Sequence, residues 1–139
     1  MNWLSKISPE WSLRLALGLT YLYSGTDLIR HPTAWHWALP YWMKQIIISV
    51  VSLNNYLRIQ GAVEIILALV LIAWFLKPKI VFWVALISTL EFLVILVLAL
   101  APWSEVNFLF TFRDVGLLGA SLALVSVLQR KISDSNIAS

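Results

Sequence analysis

Residues 80–101 read IVFWVALISTLEFLVILVLALA. The run carries one ionisable side chain, Glu91, and shows no alternation of apolar and polar residues. Roughly 20 apolar residues in a helix cross the ~30 Å hydrocarbon layer of a bilayer. A membrane strand would instead alternate with a period of two. The stretch therefore predicts a membrane-spanning helix. Three further runs of similar character lie at 11–29, 56–76 and 108–128. Together they predict an all-α membrane protein, a four-transmembrane-helix bundle forming one membrane domain over 1–139.

Composition agrees. Hydrophobic residues make up 60% of the 139-residue chain and charged residues 12%, against roughly 25% charged in soluble domains. A chain this short cannot hide so much apolar surface in one core. In lipid the backbone must satisfy its own hydrogen bonds, which helices do.

Local signals set the span ends. Ser8, Pro9 and Glu10 suit a helix start: a cap, a first-turn proline and an acid near the positive helix end. Arg30, His31 and Pro32 close the first span; Lys77, Pro78 and Lys79 close the second. Pro102 closes the third, and Gln129, Arg130 and Lys131 the fourth. Residues 133–139 read as a frayed polar tail. No short apolar leader with a small-residue cleavage site precedes the first span, so no removable signal is expected.

The segment 33–53 is different. His36, Pro40, Lys44 and Gln45 interrupt it, while Trp35, Trp37, Tyr41 and Trp42 cluster within it. Tryptophan and tyrosine favour the headgroup level, where an apolar ring and a polar tip are both satisfied. The segment is expected to lie in the interface between helices 1 and 2. The rival reading, a fifth span, would put the termini on opposite sides.

With four spans, Lys6, Arg14, Lys77, Lys79, Arg130 and Lys131 fall on the side of the termini, and Arg30, Lys44, Arg58 and Arg113 on the other. The excess predicts cytoplasmic N- and C-termini.

Charges inside spans are costly and face the bundle interior or a wet cavity. Asp27 and Arg30 end span one; Arg58 and Glu64 open span two; Arg113 and Asp114 open span four. Glu91 is the deepest. All these fall in the outer half. They are expected to form an intramembrane polar network, either a self-satisfied structural one or an outward pocket that binds a headgroup or carries protons. Gln60 with Glu64, Ser88 with Glu91, and Thr111 with Asp114 are each about one turn apart. The inner half carries only Arg14, expected to snorkel to the headgroups. Gly18, Gly25, Gly61 and Ala68, with the pairs Gly116/Ala120 and Gly119/Ala123, are expected to form packing seams, within the bundle or onto another subunit.

Composition also excludes chemistry. The chain has no cysteine, which removes disulfides, thiol relays and Cys-ligated clusters. His31 and His36 are too few for a haem or zinc site of a usual kind, and no metal site is expected. A net charge of +3 fits membrane orientation rather than nucleic-acid binding.

The motifs RLALG (14–18) through YSG (23–25), GAVEII (61–66) and FRDVGLLG (112–119), in that order and spacing, resemble those of the DoxX-like family of small bacterial and archaeal membrane proteins. The resemblance covers about 13–128. It implies a four-helix bundle in the cytoplasmic membrane of such a cell. That family includes a subunit of a thiosulfate:quinone oxidoreductase and proteins linked to terminal oxidases. The resemblance therefore implies an accessory subunit of a membrane redox complex, working near quinone. Its partners would be lipid and larger complex subunits or further copies of the chain, with no cofactor bound by the chain alone. Two alternatives stay open: a stand-alone quinone- or sulfur-linked oxidoreductase component, and a proton-coupled small-solute transporter. The isolated chain is not expected to be an enzyme.

Overall fold

A computed structural model of the chain describes residues 8–100 and 113–137. All regular structure among the described residues is helical. Helix α1 spans Pro9–Arg30, a 3₁₀ segment spans Pro32–Ala38, and α2 spans Tyr41–Ile48. Three long helices follow: α3 Leu53–Ile72, α4 Pro78–Leu100 and α5 Arg113–Ile137.

Among the described residues, α3, α4 and α5 are long and apolar enough to cross a membrane. The sequence reading expected four such helices. Helix α1 has the length, at 22 residues, but Glu10, Arg14, Ser24 and Asp27 dilute its apolar run, and it is not among the three.

The start of α1 follows the capping rule. Ser8 Oγ accepts from the Trp11 N–H at 3.5 Å, and Pro9 sits in the first turn. Helix α3 is capped by Ser52, whose Oγ accepts from Asn55 N at 3.3 Å, so it begins before the expected 56. It also ends earlier than the expected 76. The chain turns extended at Ala73 (ψ 116°). Pro78 disfavours helix at the residue before it, and a side chain from α1 takes the carbonyls of the last turn, as described below. The exposed Trp74 and Phe75 lie beyond this stop, packed edge to face. The expected frayed tail is a second correction: α5 continues to Ile137, with Lys131 bonded across to α1. The start of the fourth span at 108, its Thr111 and the stop at Pro102 lie outside the described residues.

The long helices alternate in direction. Arg14 near the start of α1 meets the end of α3, and Glu10 meets Lys131 near the end of α5. The described ends of the chain thus share one end of the bundle. At the other end α1 and α3 touch through glycines. A Cβ on Gly25 would sit 2.6 Å from the Gly61 carbonyl oxygen, and a Cβ on Gly61 equally close to that of Gly25. Only glycine at both positions permits this backbone approach. A Cβ on Gly18 would meet the Ile72 side chain at 2.7 Å.

Helix α4 packs chiefly on α5, and these join the α1–α3 pair around Leu17, Ala68, Leu71, Val81, Ala85, Leu124 and Leu128. Gly116 and Gly119 do not join this packing. A Cβ on either would meet nothing within 4 Å, so the expected seams there are not made within the described bundle. The fifth-span reading of 33–53 meets a length limit: its longest helix, α2, has 8 residues, about 12 Å at 1.5 Å per residue.

Candidate functional site

At the end of the bundle away from the termini the helices enclose a cavity of about 470 Å³. Its walls are mostly apolar, from Leu28, Leu57, Ile87, Leu90, Phe92 and Leu117 among others. Three acids reach it from three helices: Glu64, Glu91 and Asp114.

The sequence places them by helical spacing. Tyr21 and Ser24 lie between Gly18 and Gly25, on the face that α1 turns inward. Tyr21 Oη donates to Glu91 Oε2 at 2.8 Å, and Gln60 Nε2 donates to Glu91 Oε1 at 2.9 Å. One carboxyl is thus gripped from α1 and α3 together. The Tyr21 ring stacks on Phe92 with centroids 5.5 Å apart. Ser24 Oγ donates to Glu64, which is buried. Asp114, also buried, pairs with Arg113 at 3.5 Å, whose side chain is largely exposed. Ser88 turns its hydroxyl to the Val84 carbonyl at 2.9 Å. Among the described residues no buried side-chain nitrogen or oxygen lacks a hydrogen-bond partner.

The seven charges expected to form one network fall into separate groups. Glu64, Glu91 and Asp114 with Arg113 line the cavity. Asp27 belongs elsewhere: its oxygens lie 2.9 Å from His31 Nδ1 and 2.8 Å from Trp35 Nε1, which donates to it. Arg30 and Arg58 are exposed and form no ion pair with any described residue. Both lie near helix ends, Arg30 as the last residue of α1 and Arg58 in the second turn of α3.

The aromatic segment divides as well. Trp35 and Trp37 stack at 6.1 Å and line the cavity together with Met43. Asp27 ties this lid to α1, and His36 Nε2, 2.8 Å from Asn54 Oδ1, ties it to α3. Trp37 is also partly exposed, and Tyr41 and Trp42 more so, as rings in a headgroup layer would be. Sequence reasoning missed Tyr21 and Ser24. Their spacing with Gly18 and Gly25 was the available signal.

The opposite end is not plain, contrary to expectation. Arg14 is 3% exposed. Its Nε donates to the Leu71 carbonyl at 2.7 Å and its Nη2 to the Ala73 carbonyl at 2.6 Å. Nη1 bonds Glu10 Oε1 at 3.1 Å, and the guanidinium lies 4.2 Å over the Trp11 ring. Lys131 Nζ reaches Glu10 Oε2 at 2.8 Å. Arginine therefore does not snorkel here. It caps α3, whose last carbonyls have no intrahelical donors, through a fork that serves two acceptors at once. At Glu10, burial pushes the carboxyl up, but hydrogen bonds and charge from Lys131 and Arg14 outweigh it and hold the group below the ordinary carboxylate value.

The cavity offers hydroxyl, amide and carboxyl groups on one wall of an apolar chamber. That suits a compact, mostly apolar molecule bearing a few hydrogen-bonding oxygens. In comparisons with known proteins, no family model, curated protein or solved structure matches the chain.

Proposed function

We propose that this chain is a small integral membrane protein of the DoxX-like kind, crossing the bilayer four times. Its role is that of an accessory subunit of a membrane redox complex, with the carboxylate cavity as the seat of a quinone ring. One observation carries the reading: Tyr21, Gln60, Glu64 and Glu91 gather from three helices in an apolar chamber of about 470 Å³ under two stacked tryptophans. A quinone ring is flat and apolar in area, and its oxygens would accept from Tyr21 and Gln60 in exchange for the hydrogen bonds these now give Glu91.

The fourth crossing rests on how α1 is turned. Its polar groups Arg14, Tyr21 and Ser24 bond inward, while Leu15, Leu19, Leu22 and Ile29 are exposed. Arg14, Tyr21 and Ser24 lower the mean hydropathy of α1 without being presented to lipid, because they bond inside the bundle. The excess of basic residues on the side of the termini supports their cytoplasmic placement. A reporter fused to the C-terminus is expected to signal from the cytoplasm.

The test of the cavity is equilibrium binding of a benzoquinone to the purified chain in lipid nanodiscs. Binding by the wild type, weakened about tenfold or more in Glu91→Gln with Gln60→Ala, is expected; no binding by the folded wild type overturns the reading. For the accessory role, larger redox subunits should co-purify from native membranes, and consistent isolation of the chain alone counts against it.

A further inference from the structure

A second hollow of about 550 Å³ runs along the outside of the bundle between α1 and α5. Leu19 and Tyr23 form its α1 side, and Gly116 lies on its α5 side. Thr20, Ser24, Arg113 and Leu117 line both this groove and the cavity. The two spaces therefore share walls, and Ser24 stands at the junction with its hydroxyl on Glu64.

We infer that this groove is the lateral mouth of the cavity and seats the apolar tail of a membrane-dissolved amphiphile whose uncharged, oxygen-bearing head lies at Glu91. The inference rests on the reading of the cavity as a ligand site and adds the route and the shape of the ligand.

Three features support it. First, the α1–α3 joint is shut: Gly25 and Gly61 approach until no Cβ fits between them. Near Gly116 the α1–α5 joint is open among the described residues: a Cβ there meets nothing within 4 Å. Glycine inside a helix destabilises it relative to alanine, and close helix packing does not account for Gly116. Second, the groove opens on an apolar surface. Leu19 is 57% and Tyr23 72% exposed, and Leu22 is exposed beside them. In a membrane that surface faces lipid. Third, the segment that lines the cavity with Trp35 and Trp37 is tied down through Asp27–Trp35 and His36–Asn54. A ligand dissolved in the bilayer reaches the acids sideways without disturbing that segment.

The test compares two probes on the full chain in nanodiscs: a benzoquinone with a decyl chain, and the same ring with a methyl group in its place. Gly116→Leu adds bulk to the groove where there is open space. Leu19→Trp narrows it from the other wall and serves if the first variant does not fold. Gly119→Leu, on the same helix but not lining the groove, is the control. Either groove variant is expected to weaken the decyl probe about tenfold, as lost burial of two or so methylenes would. The methyl probe should stay within about twofold, and the control should leave both unchanged. Equal loss of both probes, or an unchanged decyl affinity in both groove variants, overturns the inference. If Glu91→Gln still weakens both probes in that case, the cavity reading stands and only the groove fails. If the folded wild type binds neither probe, the cavity reading falls and the inference with it.

Discussion

Replacing Arg14 by alanine is expected to destabilise the protein by about 3–5 kcal/mol, the range for removing one partner of a buried, hydrogen-bonded ion pair. The figure can be built from the contacts. The Leu71 carbonyl accepts from Arg14 Nε at a buried site, and stripping the donor from a buried acceptor costs about 1–3 kcal/mol. The Ala73 carbonyl, bonded by Nη2, is only partly buried and adds about 1 kcal/mol. Glu10 loses one of its two cations; the other, Lys131, is half-exposed, so it compensates in part. The cover over Trp11 is lost as well, about 0.5–1 kcal/mol for a contact of this kind. Arg14→Lys keeps the charge but lacks the fork that reaches two carbonyls, so an intermediate loss of about 2 kcal/mol is expected. The measurement is reversible SDS unfolding in mixed micelles, followed by tryptophan fluorescence. An Arg14→Ala protein within about 0.5 kcal/mol of wild type, the scale of an inconsequential surface change, would refute the clamp and return Arg14 to the headgroups.

The same assay separates the glycines: Gly25→Ala or Gly61→Ala should cost about 1–3 kcal/mol as overpacking, whereas Gly116→Ala and Gly119→Ala, facing open space, should be neutral or slightly stabilising. Because the folded-state pKa of Glu10 is lowered, its contribution is present above the ordinary carboxylate range and lost as pH falls through the lowered value. The acid limb of the stability–pH curve should therefore flatten in Glu10→Gln, and an unchanged limb would refute this. Asp27→Ala should release the lid, seen as faster amide hydrogen exchange over 32–38 with exchange at the α1–α3 seam unaltered.

The helices were legible because their signals are local. A run such as 80–101 can satisfy its backbone in lipid only as a helix, and Ser8 announces a helix start within a few residues of itself, whereas the cap at Ser52 was passed over for a start at 56. The end of α3 was misread because apolar residues continue through Leu76, while the stop depends on Arg14 arriving from another helix. The site was half legible. Helical spacing placed Gln60 beside Glu64, and Glu91 stood out in its apolar run. Which acids meet could not be read, because lipid is as apolar as the core. A helix such as α4 is apolar all round, and no one-sided pattern fixes how it is rotated.

By itself, then, the sequence determined a helical chain of long apolar runs, read as four spans where three helices among the described residues are apolar enough to cross, and ionisable groups sparse enough to count. Composition and hydrogen bonding within each segment suffice for that. Tertiary structure alone decided the rest: that Arg14 bonds a carbonyl 57 residues away, that Tyr21 grips Glu91 across 70, that Asp27 holds the lid rather than the cavity, and that Gly25 and Gly61 close one joint while Gly116 leaves another open. Each depends on the rotation and depth of one helix against another, and these are set by packing between distant segments.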